Sequence, residues 1–283
     1  MSESDSSPQF PARIGLGTWT MGSAAHRRTD VDAVRHALDV GYQLLDTAEM
    51  YSDGGAEQVI GSALEGFGRA RRAELYIVSK VLPGNASRAG TVRACEASIK
   101  RMGCEYLDLY LLHWPGPHPF IDTLRSFENL MRRGLIRRFG VSNLDTDDLQ
   151  RWADAQQRLG GSARAVCNQL YYCLEARGIE FDVLPWQRAN QMATMAYSPL
   201  GRGTLTRHPL LMKMGRARGV SAAQLALAWS LRQPDVVAIP KSTHAERIEE
   251  NLRAGDLTLN PAELAALDQT FPPPRAKRPL QTV

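Results

Sequence analysis

Leu44-Leu45-Asp46-Thr47-Ala48-Glu49-Met50-Tyr51 is a short apolar run that ends at once in a carboxylate and then presents a phenol. Its two leucines are typical of a buried strand, and Asp46 stands where that strand would end. Alone the segment indicates little, because most Asp residues after strands cap the next helix and most tyrosines are packing groups. It gains meaning because an apolar run, polar residues and an amphipathic stretch recur in this order along the chain.

The recurring unit is a strand followed by a helix. The apolar runs that we predict as strands cover residues 14–19, 44–46, 75–80, 106–112, 136–141, 165–169, 192–197 and 236–240. The predicted helices run from Thr29 or Asp30 to Val40, begin at Asp145, and cover residues 56–64, 87–102, 120–132, 179–190, 221–231, 246–253 and 261–267. The strands are apolar throughout, as is required of strands that are covered on both faces.

Eight such units in 283 residues predict a single-domain α/β fold, the (β/α)8 TIM barrel. A doubly wound sheet would require a Gly-x-Gly-x-x-Gly turn after the first strand, whereas Gly15-Leu16-Gly17 continues as Thr18-Trp19-Thr20. We place the barrel at residues 13–274. Residues 1–12 are expected to form a disordered or loosely ordered N-terminal tail, and residues 275–283 a disordered C-terminal tail.

The composition excludes several classes of protein. Hydrophobic residues make up 43% of the chain, which is typical of a globular protein with an ample core. The net charge of +4 is compatible with an anionic cofactor, but no basic run with interleaved aromatic residues indicates nucleic acid. We find neither a signal peptide nor an apolar run of membrane-spanning length. Cys95, Cys104, Cys167 and Cys173 form no Cys-x-x-Cys pair, so we interpret them as reduced thiols of a cytoplasmic protein.

Polar side chains follow strand after strand at the same end. In a barrel the C-terminal ends of all strands face one common site. For any one of these residues, simple exposure at the end of a strand is the better explanation, but for seven strand ends together it is not. The residues at these ends are Asp46, Lys80, His113, Ser142, Asn143, Gln169, Tyr197, Ser198, Lys241 and Ser242.

The residue types at the strand ends are those of an acid–base site. The phenol of Tyr51 has an ordinary pKa of about 10, and a nearby ammonium would lower that pKa. Lys80 is the natural candidate for this ammonium, with Asp46 holding it in place and His113 bonding the oxygen of a bound carbonyl. Tyr51 as general acid fits reduction of an aldehyde or ketone, which requires a cofactor that carries hydride.

Over residues 13–274 the sequence resembles the aldo-keto reductase family. The segments that carry the resemblance are Gly15-Leu16-Gly17-Thr18-Trp19, residues 46–51, Val78-Ser79-Lys80, Leu111-Leu112-His113-Trp114, Gly140-Val141-Ser142-Asn143, Asn168-Gln169, Tyr197-Ser198-Pro199-Leu200-Gly201 and Ile239-Pro240-Lys241-Ser242. Taken together they are highly specific. Residues 79–83 and 271–274 are similar to a bacterial branch that reduces small dicarbonyls and aldehydes.

The resemblance implies NADPH-dependent carbonyl reduction by a tetrad of Asp46, Tyr51, Lys80 and His113. It implies that Ser142, Asn143 and Gln169 bond the carboxamide of the cofactor and that Tyr197 stacks on the nicotinamide. The full set of implied cofactor contacts is Gly17, Thr18, Trp19, Asp46, Ser142, Asn143, Gln169, Tyr197, Ser198, Leu200, Lys241, Ser242, Arg247, Glu250 and Asn251. Trp19, Tyr51, His113 and Trp114 are the implied contacts of the substrate.

Lys241, Ser242 and Arg247 match the residues with which the family binds the adenosine 2′-phosphate of NADP+ or NADPH. Charge-assisted hydrogen bonds at a helix N-terminus would favour this dianion, and hence NADPH over NADH. The simpler alternative is that Arg247 only pairs with Glu249 or Glu250 on a solvated helix face. We expect no metal, because His113 and His118 lie on a Pro-rich loop with no acidic ligand nearby.

Two other functions keep the same fold. Lys80 could be the Schiff-base lysine of an aldolase, although Asp46, Tyr51 and the Lys241 segment would then lack a joint purpose. The chain could also be a cofactor-binding sensor with little turnover, against which the complete tetrad argues. We expect a monomer that acts on a small carbonyl compound, with neither a nucleic-acid nor a membrane partner.

Overall fold

A computed structural model describes residues 10–161 and 163–282 of the chain. Within these residues, eight parallel strands follow one another in chain order and each pairs with the next. The strands are β1 (Leu16–Gly17), β2 (Leu44–Asp46), β3 (Tyr76–Val81), β4 (Leu107–Leu112), β5 (Ile136–Ser142), β6 (Cys167–Tyr171), β7 (Ala193–Tyr197) and β8 (Val236–Ala238). Ile14 bridges Ala238 in parallel, and the Gly15 amide donates to the Ala238 carbonyl at 2.8 Å. The sheet therefore closes, which confirms the (β/α)8 barrel.

Helices cover the outside of the barrel. In the described part of the chain they are α1 (Arg27–Asp39), α2 (Gly55–Ala63), α3 (Arg69–Ala73), α4 (Arg88–Met102), α5 (Phe120–Arg132), α6 (Thr146–Leu159), α7 (Val183–Ala189), α8 (Pro209–Arg218), α9 (Ala222–Ser230), α10 (Ala245–Arg253) and α11 (Pro261–Thr270). None of the described helices is long and apolar enough to cross a membrane.

Three helix starts are set by the side chains that the sequence indicates. The Ser87 hydroxyl accepts a backbone N–H from the first turn of α4, and the Ser221 hydroxyl accepts one from the first turn of α9. The Asp145 carboxylate does the same for α6. Such caps contribute about 1 kcal/mol each, because they satisfy N–H groups that have no partner within the helix. The capping residues are therefore reliable markers of where these helices begin.

The prediction for the first helix is wrong at its start. We expect Thr29 or Asp30 to cap it, but α1 begins at Arg27, and Asp30 lies within its first turn. The Asp30 carboxylate instead accepts the backbone N–H of Gly22 at 2.9 Å, so it ties α1 to the loop that follows β1. Helices α3 and α8 lie where we predict none. The first has no buried residue and the second buries only Leu211 and Gly215, so no apolar stripe marks either one.

The core has two layers, which explains why the strands are apolar throughout. Side chains such as Leu44, Val78 and Met195 fill the inside of the barrel, whereas Leu45 and Ile77 point outward into the layer beneath the helices. Successive residues of a strand point to opposite faces, and here both faces are covered. Polar side chains gather at the C-terminal ends of the strands, although Ser79 and Thr194 also lie within strands.

Both tails make contacts that the sequence does not indicate. Residues 1–9 lie outside the described residues, but Phe10 packs edge-on against Tyr76, with ring centroids 5.4 Å apart. At the other end, the Lys277 ammonium lies 3.2 Å from the Asp147 carboxylate and 3.7 Å from that of Asp182, and Leu280 packs against the core. For residues 275–282 the structure thus differs from the expected disordered tail, because charges distant in sequence hold this segment against the barrel.

Candidate active site

The four residues of the tetrad come from adjacent segments of the barrel. Asp46 is the last residue of β2, Lys80 lies one residue before the end of β3, and His113 directly follows β4. These strands are neighbours, so their C-terminal ends lie side by side. Tyr51 reaches the same place from the loop between β2 and α2, which turns back where the Tyr51 amide donates to the Ala48 carbonyl at 3.1 Å.

The Lys80 ammonium contacts two other residues of the tetrad, Asp46 and Tyr51. The ammonium donates to the two carboxylate oxygens of Asp46 at 3.0 and 2.9 Å and to the Thr47 carbonyl at 2.7 Å. It also lies 3.2 Å from the phenolic oxygen of Tyr51. The Lys80 side chain is fully buried, and that of Asp46 is 3% exposed. The structure thus brings together the carboxylate, ammonium and phenol that the sequence places at separate strand ends.

Burial and charge act in opposite directions on this cluster. Burial alone would lower the pKa of Lys80, but the Asp46 carboxylate and then Tyr51 hold that pKa above its ordinary value. The lysine is therefore a charged ammonium, which argues against an aldolase because a Schiff-base lysine must be neutral to attack.

The pKa of Tyr51 is shifted in the direction opposite to our expectation. Burial raises the pKa of the phenol above its ordinary value, although the Lys80 ammonium acts to lower it. Desolvation penalises the phenolate more than the ammonium favours it. The Tyr51 side chain therefore holds its proton at neutral pH, which is the state that a proton donor requires.

His113 is a neutral imidazole beside the phenol. Burial, and secondarily the Lys80 ammonium, lowers the pKa of His113 to about 2. Its ring meets that of Tyr51 edge-on, with centroids 5.8 Å apart, and lies 4.7 Å from Trp114. Among the described residues its Nδ1 has no hydrogen-bond partner although it is buried. A neutral ring of this kind can donate a hydrogen bond to a ligand oxygen without adding charge.

A chain of hydrogen bonds joins the ends of β5, β6 and β7 to the tetrad. The Ser142 hydroxyl donates to the Gln169 carbonyl at 2.9 Å, and Tyr197 donates to the Asn143 amide oxygen at 2.9 Å. The Gln169 amide donates to the Asp46 carboxylate at 2.7 Å. Of the residues expected to bond a carboxamide, Gln169 is thus already engaged with the tetrad in this structure.

A cleft of about 1600 Å³ opens at this end of the barrel. The predicted site residues that line it are Gly17, Trp19, Asp46, Tyr51, His113, Trp114, Ser142, Asn143, Gln169, Tyr197, Ser198, Leu200, Lys241, Ser242, Arg247, Glu250 and Asn251. Lys80 lies behind Tyr51 and does not reach the cleft surface. Thr18 does not line the cleft either, because it is fully buried and its hydroxyl donates to the Asp46 carbonyl at 2.9 Å. Among the implied cofactor contacts, Thr18 is therefore one that the structure does not bring to the cleft.

Sequence reasoning missed part of the cleft wall. Met50, Arg207, Leu280 and Thr282 line it. These residues come from irregular loops and from the C-terminal tail, where no periodic pattern indicates which side chain faces inward. Arg202 lines the cleft as well, with its guanidinium 5.6 Å from the centre of the Trp19 ring. The sequence does indicate this residue, because the Gly201-Arg202-Gly203 loop follows the seventh strand and could line the pyrophosphate of a cofactor.

Two exposed cations, Lys241 and Arg247, also line the cleft. Within residues 10–161 and 163–282, neither has a carboxylate at ion-pair distance. Glu249, which we considered as a partner of Arg247, instead contacts His36 at 3.2 Å and Arg253 at 3.6 Å. The two cations are thus available to an anionic ligand.

A buried ammonium–carboxylate pair, a protonated phenol and a neutral imidazole thus meet at the C-terminal face of the barrel, and such groups can transfer a proton to an oxygen of a ligand. The model of the Aldo/keto reductase family matches residues 13–271. The chain therefore belongs to this family of oxidoreductases.

Several relatives resemble the chain over nearly its whole length. Methylglyoxal reductase YeaE of Escherichia coli (strain K12) is 44% identical over 277 residues, covering 95% of this chain and 94% of that protein. A glyoxal reductase of Bacillus subtilis (strain 168) is 33% identical over 256 residues, covering 90% and 87%. An aldo-keto reductase from Klebsiella pneumoniae, solved in complex with NADPH, has a TM-score of 0.89 and 45% identity, covering 96% and 95%.

Proposed function

We propose that this protein reduces small aldehydes or ketones to alcohols with NADPH, with Tyr51 as the general acid. The observation that carries the proposal is the Lys80 ammonium, which contacts both the Asp46 carboxylate and the Tyr51 phenol beside the neutral His113. The cleft that Tyr51 and His113 line is also lined by the cations Lys241 and Arg247. This lining fits a cofactor that reacts beside Tyr51 and carries a phosphate.

The lining of the cleft fits NADPH, because the exposed cations Lys241 and Arg247 suit a 2′-phosphate. The Klebsiella relative solved with NADPH supports the same cofactor. When bound, NADPH supplies the hydride. The residues that would hold it are Gly17, Trp19, Asp46, Ser142, Asn143, Gln169, Tyr197, Ser198, Leu200, Lys241, Ser242, Arg247, Glu250 and Asn251.

The tetrad supplies the proton. Tyr51 gives its phenolic proton to the carbonyl oxygen as negative charge develops there. The Lys80 ammonium, 3.2 Å away, stabilises the phenolate that results, and Asp46 keeps Lys80 charged and in place. Neutral His113 donates a hydrogen bond that orients the carbonyl. Trp19 and Trp114 form walls around the substrate and help to exclude water.

The names of the relatives point to small dicarbonyl compounds as substrates. We therefore expect the purified protein to oxidise NADPH in the presence of methylglyoxal or a nitrobenzaldehyde, and to do so faster than with a keto sugar or a keto acid. The consumption of NADPH in a steady-state assay measures this. Binding of NADPH without turnover of any of the four compounds would contradict a reductase and favour the sensor. Borohydride trapping of a substrate on Lys80 would instead indicate an aldolase.

Arg247→Ala is expected to raise the Kd for NADPH about 10- to 100-fold and to leave the Kd for NADH nearly unchanged. The reason is that only NADPH has the 2′-phosphate, and a hydrogen bond to a charged group contributes about 1.5–3 kcal/mol. Fluorescence titration with each cofactor measures the two constants. Arg253→Ala is the matched control, because Arg253 lies on the same helix, α10, but does not line the cleft. Equal loss of both cofactors in Arg247→Ala would reject the phosphate contact.

We also propose that the protein acts as a cytoplasmic monomer without a nucleic-acid or membrane partner. The four cysteines are all free, which is compatible with a reducing compartment. Size-exclusion chromatography with light scattering tests the oligomeric state, and a dimer mass would contradict this part of the proposal.

A further inference from the structure

We propose that Glu49 is a positioning residue that sets the distance between Tyr51 and Lys80. This inference rests on the proposed role of Tyr51 as proton donor. Glu49 does not line the cleft, whereas its neighbours Met50 and Tyr51 do. Glu49 therefore does not touch a ligand in the cleft itself, so it would act on the reaction through other residues.

The Glu49 carboxylate joins the loop that carries Tyr51 to the segment that follows Lys80. Its Oε1 accepts the backbone N–H of Leu82 at 2.7 Å and the side-chain amide of Asn85 at 3.0 Å. Glu49 precedes Tyr51 by two residues, and Leu82 follows Lys80 by two residues. One carboxylate oxygen thus ties the loop of the phenol to the chain just beyond the ammonium. Hydrogen bonds to an ionised acceptor are shorter and about twice as strong as neutral ones.

The segment that Glu49 contacts is itself held firmly. Residues Pro83–Asn85 form a 3₁₀ turn, and the loop after β4 packs closely on it. A Cβ placed on Gly116 would lie 2.3 Å from the Pro83 Cβ, so only glycine permits this approach. The His118 imidazole lies 3.2 Å from the Gly84 carbonyl. The turn is therefore a fixed support, and the same loop carries the pocket wall Trp114.

The loop of Tyr51 requires such a support. Directly after Tyr51, Ser52 and Asp53 adopt left-handed φ angles of 51° and 52°, which are unfavourable for residues with a Cβ. The Ser52 hydroxyl donates to the Met21 carbonyl at 2.7 Å and fixes this side of the loop. Glu49 fixes the other side, so Tyr51 lies between the two contacts along the chain. Removing Glu49 takes away the side-chain contact on one side of this strained segment and leaves the Ser52 contact on the other.

We expect Glu49→Ala to lower kcat for aldehyde reduction about 10- to 100-fold, because a shift of about 1 Å in a reacting group has effects of this size. The Kd for NADPH should be unchanged. The deuterium isotope effect on kcat, measured with NADPH labelled at the transferred position, should increase as the chemical step becomes slower. Glu49→Gln, which keeps an oxygen acceptor for Leu82, should recover most of the lost rate. Asn85→Ala is the matched control, because it leaves the Glu49–Leu82 hydrogen bond in place.

Each variant is compared at an equal concentration of folded, NADPH-binding sites. Wild-type kcat in Glu49→Ala would overturn the proposal, and so would a Glu49→Gln variant as slow as Glu49→Ala. A loss of rate with an unchanged isotope effect would also overturn it, because the slowed step would then lie outside the chemical step. Failure of the underlying function is distinguishable, since Tyr51→Phe, measured beside these variants, would then remain active.

Discussion

Tyr51→Phe is expected to lower kcat for carbonyl reduction by about 10²- to 10⁴-fold, which is the usual contribution of a positioned general acid. The substitution removes one oxygen and keeps the ring that meets His113 edge-on. The phenol is protonated at neutral pH because burial raises its pKa, so the wild-type enzyme has a ready donor that the variant lacks. Steady-state oxidation of NADPH with methylglyoxal measures the loss.

Two accompanying measurements separate chemistry from binding. The Kd for NADPH should remain at its wild-type value in Tyr51→Phe, because the ring and the rest of the cleft are retained. Tyr106→Phe is a matched control, since it also removes one phenolic oxygen but lies outside the cleft, with its ring against Arg72 and Arg137. A Tyr51→Phe enzyme with wild-type kcat would show that another group protonates the substrate, and the assignment of the general acid would be lost.

Lys80→Met is expected to reduce both activity and stability. Without the ammonium, the phenolate that forms at Tyr51 loses the cation that lies 3.2 Å away, so kcat should fall to about the level of Tyr51→Phe. The Asp46 carboxylate, 3% exposed, would remain buried after its counter-charge is gone, bonded by the Gln169 amide. Removing one partner of a buried ion pair costs about 3–5 kcal/mol. Urea denaturation measures the free energy of unfolding, and NADPH oxidation measures the rate.

A double variant separates the two effects. Lys80→Met combined with Asp46→Leu removes both charges, and apolar replacement of a whole buried pair is often neutral for stability or better. The double variant should therefore regain much of the free energy of unfolding while remaining inactive. Loss of stability in Lys80→Met that the second substitution does not relieve would indicate a packing defect rather than an unpaired charge.

The fold could be predicted because its signals are local. The second strand, residues 44–46, and the fifth helix, residues 120–132, have the bounds that hydrophobic pattern and flanking residues indicate. Where such signals are weak the prediction failed. The short helix α3 buries nothing, and Asp30, which resembles a cap, instead bonds the Gly22 amide eight residues earlier.

The site could be predicted in outline for a similar reason. Barrel topology brings strand ends together, so residue type at each end was enough to name Asp46, Lys80 and His113. Thr18 shows the limit of this reasoning. It belongs to a matching motif, yet its hydroxyl faces the Asp46 backbone and not the cleft. Met50 and Leu280, which do line the cleft, lie in segments without any periodicity.

Residue order alone was sufficient to predict the barrel, the end of it at which the cleft opens and the types of side chain that meet there. Three-dimensional packing was needed for the sign of the pKa shift of Tyr51, for the Glu49 contact with the chain after Lys80, and for the C-terminal tail that Lys277 ties to Asp147. Hydrophobic periodicity is a property of neighbouring residues. Desolvation and contacts between distant segments depend on every group that surrounds a side chain, and only the folded chain specifies those groups.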